Sequence, residues 1–283
     1  MKGACPTLLM LLCSLAQGQD YVQLDFPGAD STMILGVNTE GSVTGEFTVS
    51  TGRRYGFVLN AQGVFRTIDV DDSIDTSAAG INIHGSVAGL YQDAAERHHG
   101  FTLRQDRLTT IDVPDAVDTW GLGINARGDV VGRYEDAAGA IHGFLFTQVR
   151  FATLDYPGAI ETIAIGMNNP GDVVGRYTDE AQVTHGFLRR NTVYVSIDFP
   201  GAISTRAAGI NNRRDVVGSY EDGEGTHGFL FSDRVFTTMD FPDAVSTEVM
   251  DVNDAGVIVG HYRDAAGATH GFVYKKQTVA TGR

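Results

Sequence analysis

One unit of 42 to 44 residues is repeated six times between Tyr21 and about Gln277, and this periodicity constrains the fold more than any other feature. Two independent markers keep the same period. The aspartate of an "(I/L/M)-D-(F/V/Y)" element stands at Asp25, Asp69, Asp112, Asp155, Asp198 and Asp240. The asparagine of a "G-I-N" element stands at Asn38, Asn82, Asn125, Asn168, Asn211 and Asn253. Matched spacing of unrelated markers means that whole structural units were duplicated, and each must bury its apolar faces against its neighbours.

The fourth unit shows the internal plan. Phe151 to Tyr156 is a short β-rich run closed by Pro157-Gly158, and Thr162 to Ile165 leads into Gly166-Met167-Asn168 and the turn Asn169-Pro170-Gly171. Asp172 to Tyr177 forms a third run, and a polar loop reaches His185-Gly186-Phe187-Leu188. These are strand and tight-turn signals, and no window beyond the first eighteen residues has a helical period. Four antiparallel strands per unit of about 43 residues match a propeller blade. The expected fold is therefore all-β, a single six-bladed β-propeller over residues 19–283. If the "T-x-x-x-G-I-N" run is the innermost strand, the "T-x-D-F" run is the outermost strand of the preceding blade. The N-terminal Leu24-Asp25-Phe26 then completes the last blade and closes the ring.

Residues 1–18 are of another kind. Lys2, the apolar run Leu8 to Leu15 and the small-x-small Ala16-Gln17-Gly18 read as a secretory signal peptide cleaved before Gln19. The run is too short for a membrane span, which needs about 20 apolar residues. Both cysteines, Cys5 and Cys13, fall in this leader, so the mature chain has no disulfide framework and no thiolate metal site. A formal charge of −14 argues against nucleic acid and anionic membranes as partners, because both demand a basic footprint.

The pattern "T-x-x-x-G-I-N-x-x-G-D-V-V-G-x-Y-x-D", with "H-G-F-L" and "T-I-D-F-P-G-A", resembles the HAF-repeat family of bacterial extracellular proteins. The likeness covers Tyr21 to about Tyr274. It is clearest at Gly166-Met167-Asn168 with Gly171 to Tyr177, and at Gly209-Ile210-Asn211 with His227 to Leu230. The first unit departs most, with Phe47 for the tyrosine, Val49 for the aspartate and Tyr55 for the histidine. The resemblance implies secretion and a propeller, and it brings no reaction or catalytic residues.

Repeated residues read as framework. Gly45 and its equivalents sit inside a strand and Gly56 and its equivalents start another, which implies close backbone approach or a bulge. His99, His142, His185, His227 and His270 precede Gly-Phe, and Asp93, Asp136, Asp179, Asp222 and Asp264 lie five or six residues earlier, as expected of buried pairs spanning a hairpin.

Function is expected where the repeats differ. The position after the repeated threonine reads Met33, Ser77, Trp120, Ile163, Arg206 and Glu248 and lies at the channel mouth. Trp120, the lone tryptophan, beside Arg206 and Glu248, would stack on a sugar ring and hydrogen-bond its hydroxyls. The position before the threonine places Asp75, Asp118 and Glu161 on three successive blades, an acidic rim that could take Ca²⁺, although no "D-x-D-x-D-G" loop is present. In the last blade Asp251 replaces a glycine and His261 lies in register near Glu248, the weak candidates for acid–base catalysis. No "G-x-S-x-G", "H-E-x-x-H" or "G-x-x-x-x-G-K" motif is found. The sequence thus points to a secreted, monomeric binding or surface-interaction module for an extracellular glycan, with no cofactor required. The alternatives are an extracellular enzyme on a carbohydrate or lactone, or a scaffold for protein partners.

Overall fold

The computed structural model describes residues 20–147 and 149–276; the leader expected at 1–18 lies outside the described residues. Six four-stranded antiparallel sheets form a ring, a six-bladed β-propeller. In blade one the strands run outward in chain order as Ser31–Val37, Val43–Thr48, Arg54–Leu59 and Phe65–Ile68. The inner strands of the other blades are Asp75–Ile81, Asp118–Ile124, Glu161–Met167, Ser204–Ile210 and Ser246–Val252, and each packs on the next around the channel. No helix among the described residues is long and apolar enough to cross a membrane.

The ring closes as expected from the sequence. Tyr21–Gln23 pairs antiparallel with Thr269–Lys275, adding a fourth strand to the three that begin at Ser246. Leu24 N–H then donates to Gly271 O at 2.8 Å, and the Leu24 side chain is buried against blade one. A chain end that pairs with the last blade removes an open sheet edge and joins the two ends of the array without a covalent link.

Each blade is built around one phenylalanine. Phe57, Phe101, Phe144, Phe187, Phe229 and Phe272, from the "H-G-F" runs, are wholly buried. Each lies opposite a glycine of the second strand, as Phe57 lies opposite Gly45. A Cβ on Gly45 would overlap both the Phe57 ring and Met33 O, so the missing side chain makes room for the aromatic ring. The turns follow equally from residue type: Gly28 and Asp115, each after a proline, take φ of 80° and 62°, a left-handed conformation open to glycine and tolerated by aspartate.

The inner strands carry a feature that the repeat pattern does not announce. Every one has a β-bulge just before the "G-I-N" glycine, or before Asp251 in the last blade, where the register shifts by one residue, as between Ile34 and Gly36. The residue left unpaired is Leu35, Ala79, Leu122, Ile165, Ala208 or Met250, and all six line the channel. The bulge thus breaks the alternation and gives the channel an apolar wall.

Blade-to-blade ties repeat with the units. The threonine hydroxyl of each inner strand accepts the backbone N–H that follows the framework aspartate, from Phe26 N to Thr32 Oγ1 at 3.0 Å through Phe241 N to Thr247 Oγ1 at 3.0 Å. The "G-I-N" asparagine accepts its own turn's N–H groups through Oδ1, while Nδ2 of Asn38, Asn82, Asn168, Asn211 and Asn253 donates to the corresponding carbonyl of the next blade. The last of these, Asn253 to Asn38 O at 2.9 Å, crosses the closing seam.

Deleting Tyr21 to Phe26 is expected to lower the melting temperature more than any single core truncation. Leu24→Ala alone should cost about 2–5 kcal/mol, or roughly 5–15 °C for a domain of this size. Calorimetry of both variants checks this, and an unchanged melt for the deletion would refute the stabilising role of closure.

Candidate functional site

The repeated histidines belong to the frame. His99 Nε2 meets Asp93 Oδ2 at 3.2 Å, and the same pairing recurs at His142, His185, His227 and His270 with Asp136, Asp179, Asp222 and Asp264. The sequence missed a second partner: Nδ1 of each ring also meets the framework aspartate of the outer strand, as His142 does Asp155 at 2.8 Å and His270 does Asp25 at 2.9 Å. These clusters are part-exposed rather than buried, with histidine side chains 17% to 26% accessible. In the first unit, where tyrosine replaces histidine, Arg53 Nη2 takes over the link to Asp69 at 2.7 Å and its guanidinium sits over the Tyr55 ring.

Burial alone would lower the His99 pKa, but hydrogen bonds to Asp112 and Asp93 outweigh it and hold the imidazole above its ordinary value; His142 and His270 behave alike. For His227 the bond to Asp240 is the largest influence, in the same direction. Backbone N–H donors in the hairpin loops, followed by the histidines, hold Asp93, Asp136, Asp179, Asp222 and Asp264 below their ordinary values.

The rim carboxylates do not converge on a common point. Asp75 takes Arg54 at 3.1 Å and the Arg54 backbone N–H, and Asp118 takes His98 at 3.2 Å and the His98 N–H. Glu161 takes Arg176 at 2.9 Å. Each carboxylate therefore has its own basic partner, and Asp75 and Asp118 lace neighbouring blades together. Among the described residues no three His, Cys, Asp or Glu side chains are grouped to hold a metal ion. The expectation of a Ca²⁺ rim fails geometrically, because an ion needs several oxygens converging within a few ångströms.

The channel mouth gathers three of the six divergent positions, Ser77, Trp120 and Arg206. Trp120 and Arg206 line one cavity of about 260 Å³ together with Glu46, Arg54, Ser77 and the bulge residues. The expected open face of Trp120 is not as foreseen: the Arg133 guanidinium, opposite it on the next strand, lies 3.7 Å over the ring, and His98 lies at 4.9 Å. Trp120 Nε1, Arg133 Nε and Arg206 Nε have no hydrogen-bond partner among the described residues. Burial against the channel wall lowers the pKa of both the Arg133 and the Arg206 guanidinium.

Glu248 lies beside this cavity rather than in it. Its carboxylate meets Arg206 at 3.4 Å and His261 at 3.4 Å, and it lines a groove between blades four and five with Arg176, Arg206, Ser219 and Glu221. Arg206 lines both the cavity and the groove and so connects them. The His261 hydrogen bond, foremost, together with the positive charge of Arg206, keeps the Glu248 carboxyl below its ordinary value. Asp251 stands apart from this pair. It accepts Val37 N–H across the closing seam at 2.9 Å and Val252 N–H at 2.8 Å, so the three candidate acid–base residues do not form one group.

No known family's sequence profile matches the chain. No curated protein matches it either. Solved structures do. AofleA from Arthrobotrys oligospora superposes with a TM-score of 0.58 at 10% identity, over 93% of this chain and 90% of that one. The SapL1 lectin in complex with alpha methyl fucoside gives 0.58 at 10% identity, over 87% and 94%. The lectin of Aleuria aurantia, described as a six-bladed propeller with a novel fucose recognition mode, gives 0.55 at 10% identity, over 92% and 95%. At such identity the likeness is one of fold.

The titrating groups give the fold a defined pH profile. The raised histidines contribute stability that is complete below their ordinary value of 6.5 and is lost as pH rises through their folded values. The lowered aspartates contribute above their ordinary value of 3.8 and lose that contribution as pH falls through their folded values. The melting temperature should therefore peak between these two limits and decline on both sides. A scan of melting temperature from pH 3 to pH 9 checks this, and a monotonic rise to pH 9 would refute it.

Proposed function

We propose that this chain is a secreted binding module that takes a glycan across the mouth of the propeller channel and into the groove between blades four and five. The observation that carries the reading is the Arg206–Glu248 pair, 3.4 Å apart with each side chain about one third exposed, in which Arg206 lines both an apolar cavity and a polar groove and Glu248 lines the groove. Such a pair offers fixed donors and fixed acceptors side by side, the arrangement that vicinal hydroxyls require, while the cavity wall suits the apolar face of a sugar. Trp120 enters as a wall that stacks Arg133, so sugar contact falls to the indole edge and the guanidinium together. The two propeller lectins add support, since one is described in complex with a fucoside and the other by its mode of fucose recognition. Secretion rests on the leader at Met1–Gly18 and on the resemblance to the HAF-repeat family.

The paired Glu248 and His261 keep an enzyme on a carbohydrate or lactone as the second reading. The lowered Glu248 pKa suits an acceptor of hydroxyl hydrogen bonds better than a proton donor at neutral pH, and so favours binding over catalysis.

The mature chain, Gln19 to Arg283, run against a panel of soluble and insoluble polysaccharides, is expected to be retained without releasing sugar. Arg206→Ala and Glu248→Gln should each weaken binding by about tenfold or more, the cost of about 1.4 kcal/mol, with an unchanged melt. Trp120→Ala should weaken it to a similar degree by releasing Arg133. Retention by no glycan would sink the binding reading, and sugar release abolished by Glu248→Gln would replace it with the enzyme.

A further inference from the structure

Asp251 is the one residue that breaks the ring of inner-strand glycines. Gly36, Gly80, Gly123, Gly166 and Gly209 occupy the equivalent positions, where a Cβ would press on the next blade. In the last blade this position faces the closing seam and carries a carboxylate. Asp251 lines the mouth-side cavity of about 260 Å³ and also the cavity at the opposite end of the channel, as do Ile81, Ile124 and Met167. It therefore stands where the two compartments meet.

On the mouth side the surroundings of this carboxylate are apolar, while the far side is lined by the ring of asparagines. The bulge residues Leu35, Leu122, Ile165 and Met250 form the wall beside it. The other charged side chains of the mouth-side cavity are engaged elsewhere: Arg54 with Asp75 at 3.1 Å and Glu46 at 3.6 Å, and Arg206 with Glu248 at 3.4 Å. At the far end Asp254 accepts Asn212 Nδ2 at 2.6 Å and its backbone N–H at 2.8 Å. Asp251 has no cationic partner among the described residues; its oxygens accept only the Val37 and Val252 amides. A half-buried carboxylate set against an apolar wall without a counter-charge is costly. Burial accordingly raises its pKa to about 7, against the pull of the two amides.

We propose that the channel is a second binding site, whose ligand is a small protonated amine with an apolar body, the ammonium on Asp251 and the hydrocarbon against the bulge residues. The ammonium supplies the missing counter-charge through a charge-assisted hydrogen bond, and each oxygen of a carboxylate retains a lone pair after accepting one amide. The volume exceeds the ~150 Å³ that suffices for a benzene-sized guest. The amine occupies the Asp251 end of the same cavity whose mouth carries Trp120 and Arg206, and its recognition rests on Asp251 rather than on the Arg206–Glu248 pair.

Titration calorimetry of the mature chain with cyclohexylamine and with cyclohexanol, nearly isosteric and differing in charge, tests the proposal. At pH 8, where Asp251 is ionised and the amine protonated, cyclohexylamine is expected to bind at least about tenfold tighter. At pH 5.5 the proton on Asp251 competes, and the amine should lose at least about tenfold in affinity. Asp251→Asn, which keeps an acceptor oxygen for the seam, should abolish the preference, and Asp251→Gly, which restores the repeat, should do the same in a chain that still folds. Equal affinity for the two compounds, binding of neither, or a preference that survives Asp251→Asn would each overturn the proposal. The last would leave Asp251 a clasp of the seam only.

Discussion

The asparagine at the end of each inner strand makes the ring a ring. Its Oδ1 shapes the turn of its own blade, and in five of the six blades its Nδ2 donates to the matching carbonyl of the next. One side chain thus couples local turn geometry to the angle between blades. The exception is informative. Asn125 Nδ2 turns to Asp129, and Asn169 Oδ1 reaches back to Ala126 N–H at 2.8 Å, so the same seam is held by a different donor. Buried amides tolerate no vacancy, because an unpaired group costs about 1–3 kcal/mol. With no cysteine among the described residues, the circle depends on a relay of polar groups, each satisfied by its neighbour.

The apolar contribution is organised by absence as much as presence. A wholly buried phenylalanine per blade supplies the bulk, and the glycine opposite supplies the space. A second glycine set, such as Gly56 and Gly186, lets the third strand lie against the next blade, where a Cβ would sit 3.0 Å from Ala78 N and 3.3 Å from Ala207 N. The bulges then turn one aliphatic residue per blade into the channel. Blade packing, channel lining and the mouth are consequently one construction: shifting the register of the inner strand would move the apolar wall and displace Trp120 and Arg206 with it.

Much of this was legible in the residues. The period gave blade count, strand order and closure, because those follow from counting and alternation. The glycines and the His–Asp pairs were readable as framework for the same reason. The bulge was not legible: a register shift leaves no mark in an apolar/polar pattern, and so the channel lining of Leu35, Leu122, Ile165 and Met250 could not be assigned. Nor could side-chain partnerships across strands. Arg133 on Trp120, Arg54 on Asp75 and the outer-strand aspartate on each histidine join residues 13 to 21 positions apart, or 245 where His270 meets Asp25, and their rotamers depend on the finished sheet. That is why each carboxylate of a rim that reads as acidic in sequence has its own hydrogen-bonding partner in space, while Asp251, which reads as divergence in a closing blade, has no counter-charge among the described residues.

The seam at which the ring closes has a topological consequence. Lys275 N–H donates to Asp20 O at 2.9 Å, so the two ends of the propeller lie side by side. The threonine and asparagine ties at this seam are the same as those within the continuous chain. The covalent break thus lies inside blade six, between its third and fourth strands, at a place where every other blade has a hairpin. Circular permutation is built into the architecture: a short linker across the native ends and a new opening at the matching hairpin of another blade would keep the ties between blades. Asp251, by ending the sequence of glycines, and the first unit, by holding Asp69 with Arg53 in place of a histidine, together tell the ring where it begins.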